Sequence, residues 1–142
     1  MARKLVTKLS NRQCFTLTEK DTLKTASEKF QKHNVGVMPV LDDKEKSVIG
    51  IISERDLARY IYKDEFKSDS LASKIMTKNI ISCNLNTSVT ELMEIITSHK
   101  IRHIPIIEKK KLLGIVSIGD VVNHIIEQYK DENKQLRDFI NQ

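Results

Sequence analysis

Cysteine is scarce in this chain: Cys14 and Cys83 are the only two, with no second thiol near either, so neither a zinc ribbon nor a Cys-x-x-Cys redox pair can be drawn. Tryptophan is absent, and the seven Phe and Tyr residues fall mostly at apolar periodic positions, which argues against a base-stacking nucleic-acid surface. Long apolar runs are missing too. No stretch approaches the roughly 20 apolar residues of a membrane span. Arg3, Lys4, Lys8 and Arg12 interrupt any apolar run that could serve as a signal peptide, so the cytoplasm is the expected compartment, with no membrane partner.

What is present suits a domain of ordinary size. The 142 residues are 39% hydrophobic, enough to bury a core without disulfides. Charged residues make up 30% with both signs interspersed, and 24 Lys and Arg against 19 Asp and Glu leave a net charge of +5. That excess is compatible with anionic ligands or with ordinary surface solvation, since no basic stretch is clustered enough to make nucleic acid an expected partner.

Periodicity organises the chain as a repeat. Residues 1–12 form a polar, basic lead-in anchored by Leu5, Val6 and Leu9. Cys14 to Leu17 is β-prone, and Asp21 or Thr22 can cap a helix carrying Leu23, Ala26 and Phe30 on one face. Val35 to Leu41 and Val48 to Ile52 read as strands around a charged loop, after which Ser53 caps a helix with Leu57, Ala58 and Ile61. From Ile80 the order returns: β-prone Ile80 to Cys83, then Ser88 with Glu91 as a capping-box signature ahead of Val89, Leu92, Met93 and Ile96. Thr16 and Ser82, Phe30 and Ile96, His33 and His99, and Pro39 and Pro105 are each 66 residues apart. Beyond the loop the offset is 64, pairing Gly50 with Gly114, Ser53 with Ser117 and Asp56 with Asp120; two residues are lost at the hairpin tip, where length changes are tolerated.

The expected boundaries are a first repeat over 13–66, a linker over 67–79, a second repeat over 80–129 and a helical extension over 130–142. About 60 residues with one apolar helix face are marginal alone, so the copies are expected to pack about a pseudo-two-fold axis, creating two clefts walled by both. Val122, Ile125, Ile126, Tyr129, Leu136, Phe139 and Ile140 recur at helical spacing, predicting one long final helix. Its stripe can fold back on its own domain or form a dimer contact.

Each copy ends in Gly, two aliphatic residues, Ser, and an Asp three residues on: Gly50 to Asp56 and Gly114 to Asp120. Ser-x-x-Asp is an N-cap arrangement in its own right. The same groups also suit a ligand, since the Asp can accept from a ribose diol, while Ser and helix-start amides can meet phosphate. Val37 to Pro39 and Ile104 to Pro105 could sandwich a flat base.

Other chemistries fit poorly. Ile115 stands where a serine-hydrolase elbow needs glycine, Asp120 stands where a P-loop needs lysine, and His103 lies on an expected strand, so its spacing from His99 does not make a helical metal pair. No metal ligand set and no catalytic residues are expected.

The strand-helix-strand-strand-helix repeat, the aliphatic-x-x-x-Pro-aliphatic strand (Val35 to Val40 and Ile101 to Ile106) and the Gly-aliphatic-x-Ser-x-x-Asp ending together resemble a tandem pair of CBS domains, the regulatory module named after cystathionine β-synthase. The resemblance covers roughly residues 10–130 and implies an α/β (α+β) fold, no enzymatic activity and an adenine ligand between the repeats. AMP, ATP or NAD are the implied ligands, with S-adenosylmethionine possible by the same analogy. Asp56 and Asp120 would then hold ribose, with Ser53 and Ser117 near ribose or phosphate, Thr16 and Ser82 in the base pocket of the opposite site, and Arg55 and Thr77 among the remaining lining groups. Arg102 and His103 match a place where relatives turn basic residues toward phosphate, whereas the first copy has Gly36 and Val37 there, so unequal sites are expected; a solvated strand end and a core histidine are the plain alternatives. The family also implies a homodimer, and a regulated effector is expected to be another polypeptide. A structural interaction module working through the last helix, with no ligand, is the other reading.

Overall fold

The computed structural model describes residues 5–63 and 66–141. Its elements are α1 (Leu5–Leu9), β1 (Leu17–Thr18), α2 (Leu23–His33), β2 (Val37–Leu41), β3 (Val48–Ser53), α3 (Glu54–Tyr62), a 3₁₀ turn (Ala72–Lys74), α4 (Val89–His99), β4 (His103–Glu108), β5 (Lys111–Ser117) and α5 (Ile118–Ile140). This is a mixed α+β fold in which the order helix-strand-strand-helix occurs twice, as α2-β2-β3-α3 and α4-β4-β5-α5.

The first sheet has the order β1-β2-β3, with β1 parallel to β2 and β3 antiparallel to β2; the second is the antiparallel pair β4-β5. Register reproduces the sequence offsets. Val40 faces Gly50 and Ile106 faces Gly114, and each hairpin shifts register at the next residue, Leu41 or Ile107. The first strand of the second copy, expected over Ile80 to Cys83, is reduced to one parallel bridge between Cys83 and Ile106. The cause is local. In the first copy the Glu19 amide continues the ladder to the Leu41 carbonyl, whereas the equivalent Leu85 amide donates to the Glu108 side chain. The run expected over Cys14 to Leu17 likewise pairs only at Leu17 and Thr18.

Caps fix the helix ends. Thr22 and Ser88 side chains accept from the amides of Thr25 and Glu91. Asn34 and Lys100 close α2 and α4 in the left-handed region at φ 52° and 53°, a conformation that Asn tolerates better than Lys. In the shorter hairpin tip Lys109 and Lys110 both have positive φ, as a two-residue type I′ turn requires.

Each copy encloses a core. Leu17, Leu23, Phe30, Met38, Val40 and Ile52 fill the first, and Cys83, Leu92, Ile96, Ile104, Ile106 and Val116 the second. Period-two alternation puts Met38 and Val40, and likewise Ile104 and Ile106, on the helix-facing side.

The opening segments of the two copies are exchanged. Leu5 and Val6 of α1 are buried in the core of the second copy, while Ala72, Ile75 and Met76 pack into the first. The two repeat glycines admit these segments rather than a ligand. A Cβ at Gly114 would lie 2.9 Å from the Leu9 carbonyl oxygen, and one at Gly50 would lie 2.3 Å from the Met76 sulfur.

Beyond Val121, its one buried residue, α5 leaves the body: Ile125 is part-buried on the second core, but Tyr129, Leu136, Phe139 and Ile140 are exposed. The helix therefore does not fold back on its own domain. No helix among the described residues is long and apolar enough to cross a membrane.

Candidate functional site

Two strand-to-helix junctions set the chemistry. At the end of β3 the Ser53 hydroxyl accepts from the Asp56 amide at 3.1 Å, and Asp56 Oδ2 accepts from the Ser53 amide at 2.8 Å. Ser117 and Asp120 repeat the arrangement at the end of β5 with the same distances. Both Ser-x-x-Asp motifs are therefore reciprocal capping boxes. Capping and ligand binding are compatible, because the cap occupies only one oxygen of Asp56; among the described residues nothing hydrogen-bonds the other.

Beside Asp56 lies a cleft of about 350 Å³, a volume suited to a small molecule. The first copy contributes Gly36, Val37, Ile51, Ile52, Ser53, Arg55 and Asp56, and the second Ile81, Lys100, Ile101, Arg102, His103 and Pro105, with Thr77 and Asn79 between them. Thr77 is placed by reciprocal backbone hydrogen bonds with Ile51, at 2.8 and 3.0 Å. Three cationic residues, Arg55, Lys100 and Arg102, line this cleft, and among the described residues Asp56 is the one carboxylate in its lining. Such a set favours an anion joined to a diol.

The second cleft, about 360 Å³, is its symmetry mate: Gln13, Phe15, Asn34, Val35, Gly36, Val37, Ile115 and Ser117 stand where the first has Asn79, Ile81, Lys100, Ile101, Arg102, His103, Ile51 and Ser53. The cations do not carry over. Asn34 replaces Lys100, Gly36 replaces Arg102, and by the 64-residue offset Gly119 replaces Arg55. Instead the second cleft holds Arg12, whose guanidinium grips Asp120 with Nη1 to Oδ1 at 2.9 Å and Nη2 to Oδ2 at 2.8 Å, while Nη2 also donates to the Ile115 carbonyl at 2.8 Å. The 66-residue offset pairs Arg12 with Lys78, and no ion pair to Asp56 is formed among the described residues.

Of the residues singled out from sequence, Val37, Ser53, Arg55, Asp56, Thr77, Arg102, His103 and Pro105 meet in the first cleft, and Val37, His103 and Ser117 reach the second. Arg102 thus lies across from Asp56, in the cleft closed by the other copy's motif. Met38 and Ile104 are corrections: both have no exposed surface and belong to the cores, because strand alternation points them away from the clefts. Pro39 is fully buried and lines neither cleft. Thr16 and Ser82 also line neither; the Thr16 carbonyl accepts from Lys29, and Ser82 is exposed ahead of the Cys83 bridge. Sequence reasoning missed Lys100 and Arg12. The 66-residue equivalence with Asn34 and Lys78 was the available signal, but it shows a difference in charge and not where the charge points.

Burial works to raise the Asp120 pKa, yet hydrogen bonds from Arg12 and Ser117 outweigh it and hold the carboxyl below its ordinary value. His103 is held below its ordinary value, chiefly by burial and further by Arg102, against the opposing pull of Asp120. Burial pushes the Cys14 and Cys83 thiols up to about 11, so both stay protonated at neutral pH. Among the described residues no group of three or more His, Cys, Asp and Glu side chains could hold a metal ion.

Residues 6–63 and 72–127 each match the CBS domain family. The chain is 35% identical over 127 residues to the mitochondrial CBS domain-containing protein CBSX3 of Arabidopsis thaliana, covering 87% of this chain and 62% of that protein. It thus spans less than two thirds of that relative. A CBS-domain protein of Agrobacterium tumefaciens, ATU1752, superposes with a TM-score of 0.75 at 34% identity, over 84% of this chain and 94% of that one. Two more distant structures share the fold. CBSX2, solved in complex with AMP, has a TM-score of 0.77 at 19% identity, over 90% and 99% of the two chains. The CBS domain pair of MJ0100, solved with 5-methylthioadenosine and S-adenosyl-L-methionine, has 0.78 at 20% identity, over 89% and 99%.

Proposed function

The chain belongs to the CBS domain family, with two copies of the domain in tandem, and from that premise we propose that it is a non-catalytic regulatory module that binds an adenine nucleotide in the first cleft. The observation that carries this reading is the company Asp56 keeps: a carboxylate oxygen left unpaired by the described residues beside Arg55, Lys100 and Arg102, three cations whose counterparts in the second cleft are uncharged. A ribose diol fits the first feature and phosphate the second. The adenine-type ligands named for CBSX2 and for MJ0100 support the ligand class.

Because both copies wall the cleft, a bound nucleotide favours one arrangement of the repeats, and any partner that distinguishes those arrangements is coupled to it. The regulated effector is in this reading another polypeptide, reached through α5 or a dimer face. A titration panel of AMP, ADP, ATP, NAD and S-adenosylmethionine, read by calorimetry and thermal shift, tests the proposal. The phosphate-bearing ligands should bind best. Saturation at about 100 times the dissociation constant should add about 2.7 kcal/mol, a shift of several degrees. No response to any of them, in protein freed of copurified nucleotide, would sink it.

The second reading, an interaction module, rests on the exposed stripe of Tyr129, Leu136, Phe139 and Ile140. We propose that this stripe joins two copies in a homodimer. Changing Leu136 and Phe139 together to glutamate should halve the solution mass by light scattering, and an undiminished dimer would remove the tail from that role.

A further inference from the structure

We propose that Arg12 is a built-in competitor for the second cleft, occupying the carboxylate of Asp120 so that a ribose cannot reach it until the arginine is displaced. The inference rests on the reading that these aspartates bind ribose, and it adds an inequality that the repeated motif does not contain. Arg12 spans both oxygens of Asp120, at 2.9 and 2.8 Å, and takes the Ile115 carbonyl as a third acceptor. Asp120 Oδ2 already accepts from the Ser117 amide, so both oxygens of this carboxylate are engaged.

The arginine is delivered by the fold. Its amide donates to the Leu9 carbonyl at 3.1 Å, and that same carbonyl oxygen sits against Gly114, so the end of α1 is set directly over the strand that leads to Asp120. Lysine at the equivalent position 78 cannot reproduce the clamp, since an ammonium is a point charge on a flexible stem and lacks the planar fork that matches a carboxylate. The Arg12 side chain is half exposed, against 18% for Asp120, so water and salt screen the pair and displacement is feasible. One cleft is therefore open at rest and the other gated by the segment between α1 and β1.

Calorimetry with AMP and with adenosine, on the whole chain, tests this. The unaltered protein should show one strong site per chain, weakened about ten- to a hundred-fold in Asp56→Asn. Arg12→Gln should reveal a second site that survives Asp56→Asn, tightened roughly five- to thirty-fold, the range for a part-exposed bidentate pair with a third hydrogen bond. A second site already open in the unaltered protein, no second site in Arg12→Gln, or weaker binding in that variant would overturn the gate while leaving the nucleotide reading in place. No binding by either protein would overturn both. Carboxyl-detected NMR gives a readout without ligand: Asp120 should titrate higher in Arg12→Gln than in the unaltered chain, and an unchanged midpoint would mean that the clamp does not exist in solution.

Discussion

Asp56→Asn should weaken adenine-nucleotide binding by about ten- to a hundred-fold with little loss of stability. A charge-assisted hydrogen bond is worth about 1.5 to 3 kcal/mol, and losing it where a ribose diol meets a carboxylate converts to that range of affinity. The fold should survive because the asparagine carbonyl can still accept from the Ser53 amide and the amide of residue 56 still donates to the Ser53 hydroxyl, preserving both hydrogen bonds of the capping box at the start of α3. Asp120→Asn is the matched control. Its carboxylate is already committed to Arg12, so that change should cost stability and leave nucleotide affinity at the first cleft unaltered. The stability cost has a defined pH window: a carboxyl held below its ordinary value stabilises above the unfolded pKa of about 3.9, and the contribution fades as pH falls through the folded value. Isothermal titration and thermal melts of the two variants decide the matter. Loss of binding in Asp120→Asn with none in Asp56→Asn would reverse the assignment of the clefts.

Gly114→Ala should destabilise the protein by about 2 kcal/mol, lowering the melting temperature by several degrees, while Gly50→Ala should cost distinctly less. The repeat makes these glycines equivalent, but their neighbours differ in kind. At Gly114 the new methyl would meet the Leu9 main-chain oxygen at 2.9 Å, and the backbone after α1 can yield only by lifting Leu5 and Val6 from the second core. At Gly50 the approach is closer, 2.3 Å, but the obstacle is the sulfur of Met76, on a flexible side chain that can turn to another rotamer. Urea denaturation with parallel melts measures both. Equal losses at the two positions would mean that the exchanged segments are not anchored as the contacts indicate. Because Arg12 follows the displaced carbonyl, Gly114→Ala should also loosen the clamp on Asp120.

Much of this protein is legible without coordinates because duplication writes its own check. The fixed offsets, the proline-bearing strands and the Ser-x-x-Asp endings locate two copies of one fold, and hydrogen-bond registers follow the same offsets to the residue: Val40 with Gly50, Ile106 with Gly114. Local patterns fail where a neighbour distant in sequence intervenes. The strand expected at Ile80 to Cys83 is a single bridge because the side chain of Glu108, at the end of the strand that Cys83 pairs with, takes the Leu85 amide. Met38 and Ile104 read as possible base-sandwiching residues, although alternation about the two prolines sends them inward.

By itself, then, the sequence determined the duplicated α+β architecture, the capping aspartates and a charge difference between the copies, since these depend on periodicity and on groups within a few residues of one another. Only the tertiary structure decided that Arg102 and Lys100 of the second copy line one cleft with Asp56 of the first, and that Arg12 reaches across 108 residues to Asp120. Which carboxylate is open and which is occupied depends on how the copies and their exchanged segments meet in space, and no local pattern along the chain records that meeting.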